Sequence, residues 1–299
     1  MQKLQPLIIV KMVNIENGNL IVKISPLGAE LQSLVHKQTG MEYMWEGNPA
    51  FWGKHSPVLF PIVGSLQENI YFFEGKAYTL PRHGFARERT FSVKQVSESK
   101  AVFTLEADEE SIKVYPFDFG FQLIYELKAS TLLCTYAVTN PGAQTLWFSV
   151  GGHPAFKVPI VAGTTYEDHY LQFNVDEPLQ RWHLEDGLIS DTSSEVAAAS
   201  GRVMLQPSLF YDDAIVLKHL QSDCVTLAST AHAHGLHFHF EGFPYLGIWA
   251  AKDAPFVCIE PWCGHADTVG HNQQLTEKPG IERLEAGGSW ERMWRVEVF

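Results

Sequence analysis

The chain of 299 residues carries 22 Lys and Arg against 34 Asp and Glu, a formal charge of −12, and 45% of it is hydrophobic. That much apolar material, with only 19% charged residues, excludes a disordered or low-complexity chain. An acidic chain without a Lys/Arg cluster is a poor partner for nucleic acid or an anionic membrane, so a small, weakly charged molecule is the better expectation.

The elements in chain order read as strands. No apolar run nears the roughly 18 residues of a membrane helix. Pro6–Val10 is too short for a leader and lacks a small-residue cleavage site, so neither span nor signal peptide is expected. Strand candidates follow at 19–24, 31–35, 91–96 and 101–107. Then Phe121, Leu123, Tyr125 and Leu127 alternate with polar neighbours, as do Leu132, Cys134, Tyr136 and Val138. Further candidates are 214–219, 223–228, 236–241, 245–250 and 256–259, and Trp294, Val296 and Val298 alternate at the end. A period of two puts one apolar face on each strand, the mark of half-buried β-structure. Asn17-Gly18, Glu74-Gly75-Lys76, Asn140-Pro141-Gly142 and Glu241-Gly242 supply turns. Short helices are predicted only near 49–53 and 207–211, each with a proline near its first turn. One-faced strands bury that face against a second sheet, so the expected fold is all-β, a large two-sheet antiparallel sandwich. The polar stretch 186–201 is short enough to be a loop. One domain over residues 14–299 is therefore predicted, with 1–13 as an N-terminal extension.

Cys134, Cys224, Cys258 and Cys263 form no Cys-x-x-Cys pair. They read as reduced thiols of a cytoplasmic protein, neither a disulfide framework nor metal ligands.

Three segments break the alternation and set a titratable residue beside Gly, Pro or an aromatic. They are Pro81-Arg82-His83-Gly84-Phe85-Ala86-Arg87, Gly151-Gly152-His153-Pro154-Ala155-Phe156, and Cys258-Ile259-Glu260-Pro261-Trp262-Cys263-Gly264. Such loops on a rigid β scaffold hold functional side chains, and two histidines with one glutamate suit acid–base work near neutrality. His83 fits a surface turn as well, and His153 a buried structural histidine. Glu260 is the sharpest signal, a carboxylate closing an apolar strand. Two His and one carboxylate also spell a non-haem iron triad. The pairs His232-Ala233-His234 and His237-Phe238-His239 add to that reading. Residues 231–235 look like a solvated hairpin tip, however, and the nearest carboxylate is Glu241, so no metal site is expected. No phosphate loop, Gly-x-Ser-x-Gly elbow or dinucleotide fingerprint is present.

Ile24-Ser25-Pro26-Leu27-Gly28-Ala29-Glu30-Leu31, Arg82-His83-Gly84-Phe85-Ala86-Arg87, Gly152-His153-Pro154-Ala155-Phe156 and Ile259-Glu260-Pro261-Trp262 occur in that order. Together they resemble the aldose 1-epimerase (galactose mutarotase) superfamily, nearest its LacX-like branch, from about Asn14 to the C-terminus. The resemblance implies a two-sheet β supersandwich and a cofactor-independent isomerase that interconverts hexose anomers. It implies His153 as the general acid at the ring oxygen and Glu260 as the base at the anomeric hydroxyl. His83 would polarise the ring-oxygen region and hold the sugar. Asp212, or its neighbour Asp213, resembles the residue that binds sugar hydroxyls. The galactose enzymes carry an Asn-Arg pair after the first loop, where this chain reads Val63-Gly64-Ser65-Leu66-Gln67-Glu68-Asn69, so galactose specificity does not carry over. Trp262, Phe156, Phe85 and Trp52 would either face the sugar's C–H surface or fill the core. The competing readings are a hexose-6-phosphate mutarotase gripping phosphate through Lys54, Arg82 and Arg87, and a sugar-binding module without turnover. Oligomeric state is left open.

Overall fold

Alternation along the chain builds two large antiparallel sheets in the computed structural model, which describes residues 11–299. The segment Pro6–Val10 lies outside the described residues. A nine-stranded sheet runs Arg202–Met204, His169–Phe173, Cys224–Ser229, Leu236–His239, Ser289–Val298, Thr131–Thr139, Gly120–Lys128, Lys100–Glu106 and Ser92–Ser97. An eight-stranded sheet runs Leu188–Glu195, Gln180–Glu185, Ile215–Lys218, Tyr245–Trp249, Phe256–Cys263, Val150–Gly152 and Val58–Leu59, with Ala155–Lys157 also paired to Phe256–Cys263. Smaller sheets flank them. The first described strand, Val13–Glu16, pairs with Leu20–Ser25 across Asn17-Gly18, one residue ahead of the expected boundary.

In Gly120–Lys128, Phe121, Leu123, Tyr125 and Leu127 are buried while their neighbours are part-exposed, and Thr131–Thr139 repeats the pattern. Their apolar sides meet side chains of the other sheet. Phe60 stacks on Phe121 at 4.4 Å between centroids, and Phe156 meets Phe238 edge-on at 5.9 Å. Each such ring fully removed from water contributes roughly 1.5–3 kcal/mol.

Phe256–Cys263 departs from the pattern, being buried at every position. It is covered on both faces, so its sequence is a continuous apolar run, and Pro261 makes it look as if it ended at 259. It carries on through Glu260 and Trp262, pairing with Tyr245–Trp249 on one side and Val150–Gly152 on the other. The predicted helix near 49–53 is a turn, and Pro207–Phe210 is a short 3-10 helix. A one-and-a-half-turn α-helix, Glu109–Val114, was not expected. Asp108 and Ser111 cap it reciprocally, but the element is too short to show periodicity. The four cysteines are buried and unbridged. No helix among the described residues is long and apolar enough to cross a membrane.

Candidate active site

Three segments remote in sequence converge because the eight-stranded sheet places them side by side. Glu260 sits in the middle of Phe256–Cys263, opposite Gly247. His153 follows Val150–Gly152, the neighbouring strand, and its amide donates to the Pro57 carbonyl at 3.1 Å. Glu30 in turn accepts from the His55 and Ser56 amides at 2.7 and 3.1 Å, fixing that supporting loop. His153 Nε2 thereby lies 3.3 Å from Glu260 Oε1.

The glycines of these motifs make room. A Cβ on Gly151 would come within 2.6 Å of the Trp262 ring, and one on Gly247 within 2.3 Å, so the indole lies against two bare backbones. His83 occupies the left-handed region at φ 70°, rare for a residue with a side chain and the kind of strain found at functional sites. It is held there from both ends. Its amide donates to the Gly64 carbonyl at 2.9 Å, and the Gly64 amide donates back to His83 Nδ1 at 3.1 Å. Arg82 Nε donates to His83 Nε2 at 3.3 Å, so a donor reaches each ring nitrogen.

These groups open into a cavity of about 840 Å³, in the usual range for a small-molecule site. Arg82, His83, Arg87, His153, Asp212, Glu260 and Trp262, all singled out from the sequence, line it. Trp52 lines it too, its ring tilted over His153 at 4.9 Å, with its backbone held by a hydrogen bond from Trp45 Nε1. Phe156 does not reach the cavity. It lies on the inward face of Ala155–Lys157, fully buried between the sheets. Phe85 packs instead on Phe60 and Tyr115, and Lys54 pairs with Glu88 away from the cavity.

Asp213, the alternative to Asp212, lines the wall as well, and so do Trp249 and Tyr211, which were not placed there from sequence. Trp249 stands edge-on to His153 at 5.5 Å, so the imidazole is boxed by two indoles. Its signal was hidden in a strand buried like any core element. Asp212 and Asp213 both face in. Arg181 holds the turn by donating to both their carbonyls at 2.6 and 3.0 Å, and Asp213 is the one whose charge reaches Glu260.

Electrostatics follow from this enclosure. Burial pushes the Glu260 carboxyl well above its usual range, with Arg82 pulling the other way and Asp213 adding to the rise. Burial drops His153 from 6.5 to about 3, and Arg82 and Arg87 add to the fall. His83 is likewise held far below 6.5, first by burial and then by the charges of His153, Arg82 and Arg87. Both shifts favour the uncharged form of the pair, with the proton on the Glu260 carboxyl and His153 neutral.

The histidine pairs of the 231–239 hairpin lie elsewhere; His232 and His234 at its tip are part-exposed, as are His237 and His239. His232 Nε2 contacts Nε2 of the buried His169 at 3.3 Å, and His237 contacts Thr226 at 2.8 Å. Among the described residues, the group placed to hold a metal is His153, Cys258 and Glu260, whose ligand atoms lie within 4.8 Å of one another.

The aldose 1-epimerase family profile matches residues 11–291. The chain belongs to the aldose 1-epimerase family. The chromosomal LacX protein of Lactococcus lactis subsp. lactis is 32% identical over 285 residues, covering 91% of this family member and 94% of its own length. A galactose mutarotase related enzyme from Lactobacillus acidophilus superposes with a TM-score of 0.92 at 35% identity, over 97% of each chain. A galactose mutarotase-like protein from Lactobacillus casei gives 0.91 at 33% identity, over 97% of this chain and 100% of its own. The fold of this epimerase-family chain is thus the mutarotase-like sandwich, and its cavity occupies a carbohydrate-epimerase scaffold.

Proposed function

We propose that this protein interconverts the α and β anomers of an unphosphorylated hexose, with Glu260 as base and His153 as acid. The observation that carries this is the contact of His153 Nε2 with Glu260 Oε1 at 3.3 Å on the cavity wall. Ring opening removes the proton from the anomeric hydroxyl while the ring oxygen gains one. Both oxygens hang on one carbon, so the groups serving them must be neighbours too. Burial leaves the shared proton on the Glu260 carboxyl, so opening begins when it passes to His153 Nε2, 3.3 Å away; Glu260 then takes the O1 proton and His153 protonates O5. The proton then lies on Glu260, and the reverse transfers close the ring on either face of the aldehyde. The proton count of the pair is the same before and after, so turnover draws nothing from solvent. Positioned transfer of this kind is worth roughly 10²–10⁴-fold per group. Arg82 favours the carboxylate form of Glu260, and His83 lines the cavity beside His153, their rings 5.9 Å apart, as a contact for the sugar. Trp52, Trp249 and Trp262 give flat apolar faces for sugar C–H groups.

One observation favours a hexose 6-phosphate instead: Arg82 and Arg87 both line the cavity, and Arg87 Nε is buried without a hydrogen-bond partner. Asp212, Asp213 and Glu260 line the same space and would repel a dianion, which supports the neutral sugar. Anomer exchange of glucose, galactose and their 6-phosphates at several ionic strengths separates the two. The neutral reading expects no preference for the ester and little salt effect. A higher kcat/KM for the ester, falling steeply with salt and losing roughly 2–5 kcal/mol in Arg87→Ala, would replace it.

A further inference from the structure

Acid–base ring opening uses His153 and Glu260 but gives no task to the thiol beside them. Cys258 lies two residues before Glu260 on the same strand, hence on the same side, and is fully buried. Its sulfur, His153 Nε2 and a Glu260 oxygen all lie within 4.8 Å of one another. The 3.3 Å between His153 and Glu260 matches the spacing of two ligands each about 2.0–2.1 Å from one tetrahedral zinc. One imidazole, one thiolate and one carboxylate make a donor set suited to zinc or cobalt and ill suited to magnesium or calcium. His153 and Glu260 border the cavity, which supplies an entry path and room for a water as fourth ligand.

We infer that His153, Cys258 and Glu260 form a zinc-class metal site whose occupation switches the catalytic pair off. On binding, the nitrogen, the sulfur and a carboxylate oxygen each bond to the metal. The thiol proton and the proton shared by the pair leave to bulk water, and no oxidant or reductant is needed. The metal then holds both lone pairs that would move protons on the sugar. That inhibition rests on the acid–base reading above; the binding does not.

Cobalt(II) serves as the probe, titrated into chelator-treated protein while absorbance and anomer exchange are recorded in parallel. One equivalent should bind and give a sulfur-to-cobalt charge-transfer band that zinc abolishes, and zinc should inhibit exchange. Cys258→Ala and Cys258→Ser should lack the band and keep basal exchange within about threefold. Both should need at least about tenfold more zinc for half-inhibition, since losing even an outer-shell partner costs 10–100-fold in affinity. Cobalt binding without a thiolate band, as a site at the His169–His232 pair would give, overturns the proposal. Unchanged zinc sensitivity in both variants overturns it as well. Activity lost on chelation and restored by zinc would overturn the inhibitory role. A band in a protein that exchanges no sugar would sink the mutarotase reading and leave the metal site standing.

Discussion

Glu260 holds a carboxyl group where carboxylates are least stable, in a strand buried on both faces. Its folded pKa is raised above the unfolded value, so its contribution to stability is fully present below about 4.5 and is lost as pH rises through the folded value. A neutral amide of the same shape escapes that loss. Glu260→Gln should therefore melt higher than the parent at pH 8 and near it at pH 4.5 in calorimetry; a uniform drop at both would show that the carboxylate is well stabilised. His153 sets the pH profile. Because burial holds it near 3 and the pair works with one proton, the acid limb of kcat/KM should fall well below the ordinary histidine value of about 6.5. An acid limb at 6–7 would mean that His153 titrates as an open, solvated group. The neighbours of this pair also show what the sequence could and could not reveal. His83, His153 and Glu260 were visible because each breaks a strand pattern beside Gly or Pro. Trp249 obeys its strand pattern, and nothing local marks it as facing a cavity. Phe156 misleads for the opposite reason: its place in a motif suggested a contact with the sugar, but of the two readings left open the core one holds, since the alternation of Ala155–Lys157 turns it inward.

The elements around the site are tied by a buried ion pair. Lys278 Nζ lies 2.7 Å from Asp267 Oδ1, and both side chains are almost fully enclosed. Asp267 also accepts from the Gln67 amide at 3.0 Å, while its backbone bonds Ser65 and Ile189. These bonds join the segments that carry Gly64, Ile189 and Ala266, three cavity-lining residues. Removing the lysine alone takes the cation away from a buried carboxylate that keeps only the Gln67 amide and His271 Nδ1, 3.6 Å away. Lys278→Met should lose about 3–5 kcal/mol in urea unfolding, and adding Asp267→Asn should restore part of it. If the single variant lost nothing, the pair would be no more than a tolerated ornament of the fold. Neither partner was singled out from sequence, since a lone Lys before Pro279 and an Asp after His-Ala show no pairing until the chain folds. The strands were easier. One-faced elements such as Gly120–Lys128 announce themselves by alternation, whereas Phe256–Cys263, covered on both faces, hides its true end behind Pro261.

At the scale of the whole molecule, the sandwich buries several histidines in neutral form. His153 and His265 are both pushed to about 3, chiefly by burial, and His83 is lowered as well. Depressed folded values mean that this stability is present above about 6.5 and is lost as pH falls towards the folded values, because the unfolded chain binds more protons there. Each such histidine steepens the decline by up to about 1.4 kcal/mol per pH unit. His265→Gln, outside the catalytic pair, should flatten the acid side of the stability curve between pH 6.5 and 4, as read by urea unfolding across that range. An unchanged slope would show that His265 takes up its proton as easily folded as unfolded.

The most direct test of the central claim is anomer exchange by NMR on the best substrate, for the parent, His153→Ala, Glu260→Gln and the double variant. Two groups that pass one proton act as a unit. Each single change should lower kcat by at least about 10² with the fold intact, and the double variant should fall little further. Near-parental exchange in either single variant would contradict the assignment of acid and base to this pair.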